Sequence, residues 1–452
     1  MYFLYSFLMA LAALVTAPYW IVQGSRYRKY FSNLAQRLGF AAPALDNLPA
    51  ERPRAIWIHA VSVGEALAGA TLAKRLKVAY PERPLIISTT TVTGQALAKE
   101  RFPFADATIY FPLDWAFCCK RVMERVKPAI VVVLETEIWP NFLRVAKEQK
   151  VPVVFLSGRI SDRSFARYQK FFGWFGFYLK PFLKSVLSDA AAFLMQTQLD
   201  ADRLKVLGAP SEAVLVSGNL KYDMELPKPT PFSVWLEAEC KRLGRAPVIV
   251  AGSVVAAEEP LALIAFGVAQ GDFQNSLLVL APRKPERFAA SAAFIDESHR
   301  KFIRRSELAV PGPGNCGDSG LREIPADVTV LLLDSIGELA SLYKFADGVF
   351  VGGSLVPSGG HNILEPAAFG RVPVFGDSME NFAEIAARFI EAGAAIQVGS
   401  PEDAGVELIH LLKDRDKMQR MGDTARRLVE NSRGALDRSL AEIEKYLGGA
   451  AP

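Results

Sequence analysis

An alternation of short apolar runs with helical stretches constrains this chain more than any other feature. Residues 129–134 (AIVVVL) are apolar at every position, as a strand covered on both faces must be. Comparable runs stand at 54–60, 85–90, 108–111, 151–157, 191–195 and 213–216, separated by helical stretches such as 66–78 and 93–101. Strands that alternate with helices pair in parallel, with the helices on the faces of the sheet. Pro227, Pro229 and Pro231 mark a stiff linker. Beyond it a second alternating set runs through 247–251, 276–280, 328–333, 349–351 and 371–375. The 452 residues suffice for about two or three domains.

Net charge is only +4, which implies no nucleic-acid partner. The four cysteines, Cys118, Cys119, Cys240 and Cys316, have neither disulfide nor zinc spacing, which points to a reducing compartment. The four histidines, His59, His299, His361 and His410, are scattered, so no metal site is expected. Residues 2–23 carry no charge, and Arg26, Arg28 and Lys29 follow. That length spans the roughly 30 Å hydrocarbon layer. Tyr19 and Trp20 sit where interfacial aromatics belong, and the basic flank belongs on the cytoplasmic side. The expectation is an uncleaved membrane-anchor helix with the rest of the chain in the cytoplasm. Pro18 leaves open a helix lying in the interface instead. Residues 163–184 mix Arg163, Arg167, Lys170, Lys180 and Lys184 with dense aromatics and no acid. Such a segment suits an anionic membrane surface or a core helix whose basic stems reach outward.

Ligands of open parallel sheets bind outside the carboxyl ends of the strands, so the loops there hold the candidates. In 348–376 a strand leads through Gly352, Gly353 and Ser354 to Ser358-Gly359-Gly360 and a helix over 362–369. Glycines admit close backbone approach, a helix start favours phosphate, and Glu365 one turn in suits a ribose diol. The alternative is an ordinary βα turn that caps its own helix. Ser253 ends the first strand of the second half, and Pro282-Arg283 ends the next. The planar fork of Arg283 matches phosphate geometry. Ile336-Gly337-Glu338 forms a further turn and helix start. In the first half, HAVSVGE places Glu65 at a helix start. It either complements the helix dipole or acts as a general base. Glu135 and Glu137 of ETEIWPN alternate at a strand end, where burying carboxylates is costly without a role. Ser157, Arg159, Ser161 and Arg163 suit an anionic acceptor or serve as solvated caps. Lys221 of GNLKYD is either a surface lysine or a cation that reaches the leaving group.

Two Rossmann-like halves joined by a proline linker describe the GT-B architecture, an α/β fold whose domains face a cleft. The expected divisions are an anchor at 1–24, an N-terminal Rossmann-like acceptor domain at 25–226 and a C-terminal Rossmann-like nucleotide-binding domain at 227–452. The last helix is a candidate to pack back on the first domain. The motifs HAVSVGE, ETEIWPN, GNLKYD, APRKPERF, SGGHNILEPAA and PVFGDSMENF, with the N-terminal segment, resemble the 3-deoxy-D-manno-octulosonic acid (Kdo) transferases of Gram-negative bacteria. That resemblance implies CMP-Kdo as donor, the lipid A precursor as acceptor, an inner-membrane location and no cofactor. It implies Glu65 as proton acceptor, with Glu135 and Lys221 assisting the transition state. Pro282, Arg283, Ile336, Gly337, Glu338, Asn362, Ile363, Leu364 and Glu365 would hold the CMP moiety, with Ser253, Gly353, Ser354 and Arg159 as supporting candidates. The family commonly has Asn-Pro-Leu-Glu where this chain has Asn362-Ile363-Leu364-Glu365. A UDP-sugar enzyme of the same fold, or a silent nucleotide-binding scaffold, is the competing expectation.

Overall fold

The apolar runs pair in parallel throughout. The computed structural model describes residues 1–26, 33–40, 42–60, 63–312 and 320–448. The chain divides into two units, Met1–Met224 with Ser432–Pro452, and Glu225–Asn431.

Unit 1 carries β1 (Ala55–His59), β2 (Leu85–Thr89), β3 (Ala107–Tyr110), β4 (Pro128–Leu134), β5 (Val153–Gly158), β6 (Ala192–Met195) and β7 (Val214–Val216). They form a seven-stranded sheet in the order β3-β2-β1-β4-β5-β6-β7. The order reverses between β1 and β4, which run side by side with His59 opposite Val133. A reversal of this kind leaves a crevice at the carboxyl ends, where open parallel sheets bind their ligands.

Unit 2 carries β8 (Val248–Val254), β9 (Leu277–Pro282), β10 (Phe302–Arg304), β11 (Val330–Leu332), β12 (Gly348–Val351), β13 (Pro373–Phe375) and β14 (Ile396–Gln397). Their order is β10-β11-β9-β8-β12-β13-β14, with the reversal between β8 and β12. The sequence reading passed over β10 and β14. They are three and two residues long, too short to leave an alternation pattern.

The last helix, Ala435–Leu447, belongs to unit 1. Its Leu436, Leu440, Ile443 and Leu447 pack with Ile58, Leu72, Val132 and Leu134 in one core. Each such side chain contributes about 1.5–3 kcal/mol on full burial. Asp223 fixes the start of that helix, because its carboxylate accepts from the N–H groups of Gly434 (2.6 Å) and Leu436 (2.7 Å). The guanidinium of Arg438 donates to the carbonyl of Ser217 at 2.8 Å.

Residues Tyr2–Arg26 are helical through Pro18. Among the described residues no helix is long and apolar enough to cross a membrane, so the structure does not support the expected membrane-spanning anchor. The first turn is engaged by the rest of unit 1. Tyr2 donates to Asp189 (2.6 Å) and Tyr5 to the buried Asp114 (2.9 Å). The Tyr2 ring meets Phe182, on the long helix Asp162–Leu187, edge-on at 5.2 Å. The opposite side exposes Phe3, Leu4, Phe7, Leu8, Leu11, Leu14 and Val15. The first two turns are therefore docked on one side with an apolar face on the other, and residues 10–16 beyond them are exposed all round.

Replacing Asp223 with Ala removes this cap, and caps of this kind are worth about 0.5–2 kcal/mol. A urea titration should show unit 1 destabilised by about that amount, with unit 2 unfolding at its usual concentration.

Candidate functional site

Close backbone packing shapes the crevice of unit 2. Val351 lies opposite Gly252, and a Cβ on Gly352 would stand 2.7 Å from the carbonyl oxygen of Ser253. The chain then turns through Gly353, at φ +71°. The N–H groups of Gly353 (2.5 Å), Ser354 (2.9 Å) and Leu355 (2.9 Å) all point at one carboxylate, that of fully buried Glu258. Successive N–H groups turned to one point make an anion site, and here the protein's own side chain fills it. The N–H groups of the supporting candidates Gly353 and Ser354 are therefore committed within the protein. The hydroxyl of Ser354 is committed as well, donating to the carbonyl of Val351 (2.6 Å) and accepting from Gly376 N–H (2.8 Å). Glu258 went unmarked in the sequence because its partners lie almost a hundred positions away.

The helix expected over 362–369 is shorter, Leu364–Ala368. Asn362 already occupies its start, accepting from Leu364 N–H at 3.1 Å. A helix of five residues has little dipole to offer a phosphate. Asn362 instead donates to the Glu365 carboxylate at 3.3 Å. Burial pushes that carboxyl above its ordinary range, against the Asn362 hydrogen bond and the charge of Arg283. Ile363 and Leu364 are fully buried, so they anchor the segment through their side chains.

Arg283 follows buried Pro282 and is tied by its N–H to the carbonyl of Val254 at 2.8 Å. Its charge acts on Tyr343, His361 and Glu365 alike. Among the described residues its guanidinium forms no ion pair, so the site holds an unneutralised cation beside Glu365. Ser253 stands nearby in the left-handed region at φ +58°, a conformation costly for a residue with a Cβ.

The Ile336-Gly337-Glu338 turn divides its roles. Ile336 is 52% exposed, and Gly337 takes φ +96°. The Glu338 side chain is buried against Arg305, with contacts of 3.0 and 3.2 Å, and accepts a short hydrogen bond from Ser335. Arg305 also donates to the carbonyl of Val310 at 2.9 Å and stacks over Phe232 at 4.3 Å. Glu338 therefore holds the turn in shape, while Ile336 stays exposed.

In unit 1, Glu65 is the third residue of the helix Val63–Ala79, just beyond β1. Its side chain lies outside the described residues. The helix closes on β4 through Gly69, where a Cβ would stand 2.5 Å from a methyl carbon of Leu134. Glu135, next after β4, sits at φ +60°, a strained conformation of the kind that gathers at functional sites. Its carboxylate lies 3.7 Å from the ammonium of Lys221. Asn219 shapes the turn that delivers Lys221, accepting from Lys221 N–H at 2.9 Å and donating to Gln196 at 3.0 Å. The side chain of Arg159 is exposed, and its backbone is stitched to the β4 loop through Thr136 (2.7 Å both ways). The fold thus brings Glu135 and Lys221 together at the crevice beside the helix Val63–Ala79, which carries Glu65 in its first turn. A residue the sequence reading passed over is His59, fully buried, with Nδ1 on Ser88 and its ring stacked on Phe111 at 3.9 Å. Burial pushes its pKa down to about 3.

Two all-parallel α/β units of this design place the chain among proteins of the GT-B glycosyltransferase fold. A UDP-N-acetylglucosamine 2-epimerase from Listeria monocytogenes superposes with a TM-score of 0.52 at 14% identity, covering 87% of this chain and 96% of that one. The calicheamicin glycosyltransferase CalG4 superposes with a TM-score of 0.51 at 15% identity, covering 89% and 100%. The family model for 3-deoxy-D-manno-octulosonic-acid transferase (kdotransferase) matches residues 32–224. A 3-deoxy-D-manno-octulosonic acid transferase from Haemophilus influenzae is 33% identical over 94% of this chain and 93% of its own length. The chain belongs to the Kdo transferase family and is a Kdo glycosyltransferase.

Truncating one partner of a fully buried ion pair costs about 3–5 kcal/mol. Arg305→Ala should destabilise unit 2 by that order in a urea titration. The double change Arg305→Met with Glu338→Gln should recover part of the loss, since it strands no charge.

Proposed function

We propose that the protein transfers Kdo from CMP-Kdo to the lipid A precursor, with inversion at the anomeric carbon and without a metal. The observation that carries the donor side is Arg283, which forms no ion pair among the described residues and whose charge acts on Glu365, the partner of Asn362. A phosphodiester is the anion its fork accommodates. Glu365 and Asn362 receive the nucleoside hydroxyls, and the backbone of Ile336, Gly337 and Glu338 completes the seat. On the acceptor side, Glu65 takes the proton of the attacking hydroxyl. The hydroxyl oxygen then bonds to the anomeric carbon as the bond from that carbon to the phosphate oxygen breaks, and CMP leaves with the electron pair. An oxocarbenium-like state of this kind is met in glycosidases. The Lys221 ammonium, held by Glu135 at 3.7 Å, stabilises the negative charge that develops. The competing UDP-sugar reading differs in one measurable respect, because this reading requires CMP to bind more tightly than UMP.

The acceptor is a lipid, and the N-terminal helix suits contact with a membrane surface. Its exposed stripe from Phe3 to Val15 is what an interfacial helix buries among headgroups. The neighbouring helix Asp162–Leu187 adds exposed Arg163, Arg167, Lys170, Lys180 and Lys184, each able to attract anionic lipid. These features support a location at the cytoplasmic face of the inner membrane.

Glu65→Gln should keep CMP affinity in a calorimetric titration and lower kcat by about 10²–10⁴, the usual contribution of a general base. A Glu65→Gln enzyme with undiminished turnover removes the base assignment. Mass spectrometry of the lipid product, from CMP-Kdo and lipid A precursor, identifies the reaction itself. Phe7→Ser with Leu14→Ser should weaken cosedimentation with anionic vesicles by more than tenfold, since each buried side chain contributes about 1.5–3 kcal/mol.

A further inference from the structure

His361 is built into unit 2 with more care than a filler side chain requires. Its Nδ1 lies 2.8 Å from the carbonyl oxygen of Gly352. A carbonyl only accepts, so Nδ1 carries the proton. Gly353 makes room for the ring, since a Cβ there would stand 2.4 Å from Nδ1. The turn that holds Gly352 is in turn fixed by the Glu258 carboxylate. Burial and the nearby charge of Arg283 both disfavour the imidazolium. The ring is thus neutral, with its tautomer set, and Nε2 bears a lone pair. Among the described residues nothing donates to that lone pair. The residue is half-buried, one position before Asn362 and within the field of Arg283.

We infer that His361 is a further donor-contact residue, whose Nε2 accepts a hydrogen bond from a hydroxyl or amino group of the nucleoside. It does not touch the phosphate, because a lone pair aimed at an anion repels it. The inference rests on the donor-site reading of unit 2 given above. It also gives the Glu258 carboxylate a purpose: by holding the glycine turn it holds the carbonyl that fixes the imidazole tautomer.

Two amide replacements test this in the full-length protein. Asn places its amide near the position of Nδ1, keeping the Gly352 contact and losing the distal acceptor. Gln reaches the position of Nε2 and restores an acceptor there. Calorimetry with CMP at about pH 8, above the ordinary imidazole range, should show His361→Asn weakened about tenfold, the value of one hydrogen bond to a ligand. His361→Gln should bind within about threefold of the wild type. The same order should appear with cytidine as probe. A purely structural role for the ring predicts the reverse order, with the Asn variant normal and the Gln variant weak, and that result overturns the inference. An effect on CMP with none on cytidine overturns the nucleoside assignment. Wild-type protein that binds no CMP overturns the donor-site reading and this inference with it. A readout independent of variant folding is the nitrogen NMR signal of Nε2 in the wild type, which should move on CMP addition; an unmoved signal counts against the contact.

Discussion

Three consecutive backbone N–H groups that converge after β12 need an anion, and Glu258 supplies it from the other side of the strand-order reversal. This contact joins β8 to β12 where the two strands part company. It is fully buried, and hydrogen bonds to a charged acceptor are worth about 1.5–3 kcal/mol each. The close approach of Gly352 to Ser253, the carbonyl that orients His361, and the left-handed turn at Gly353 all hang on it. A turn that had to collect an external phosphate would be ordered only by its ligand. One that carries its own carboxylate is ordered beforehand, so donor binding spends less on arranging the protein. In the proposed donor site the charge is met by Arg283, a side chain rather than a glycine cradle.

Unit 1 solves the same problem with different groups. Its reversal lies between β1 and β4, and the residue that leaves β4 is Glu135, in a left-handed conformation at φ +60°. The Lys221 ammonium lies 3.7 Å from that carboxylate, an opposite charge that offsets part of the cost of holding it there. Lys221 sits in a short turn whose next residues anchor the C-terminal helix through Asp223. One motif therefore presents a candidate catalytic cation and fixes the segment that returns to seal the core.

Much of this was legible in the residues. Runs such as 129–134 could only be strands buried on both faces, and the loops after them named Glu135, Lys221 and Arg283. What escaped was of two physical kinds. Partnerships between distant residues leave no local trace: Glu258 with the glycine turn, Arg305 with Glu338, and Asp223 with the last helix join positions far apart in the chain. Surface orientation escaped as well. Residues 2–18 are uncharged all round, so composition could not separate a spanning helix from one with a docked side. Nor could it show that two tyrosine hydroxyls of the first turn find Asp189 and Asp114.

Those tyrosines also bear on how a soluble donor and a membrane-bound acceptor are served by one chain. A helix tethered only through a flexible connection would leave the catalytic unit free to tumble above the lipid. Here the first turn is pinned by Tyr2 and Tyr5 and packed on Phe182 of the basic helix. The apolar stripe and the basic side chains consequently move with unit 1 as a single surface. Buried Asp114 ties this surface to the interior, accepting from the N–H groups of Asn141 (3.2 Å) and Phe142 (2.7 Å) as well as from Tyr5. Asn141 and Phe142 belong to the helix that follows the Glu135 loop. The contact surface and the crevice are therefore separated by a single short helix. If the proposed membrane contact holds, lipid engaged by the first sets the height and tilt of the second, which is the geometry a lipid acceptor demands.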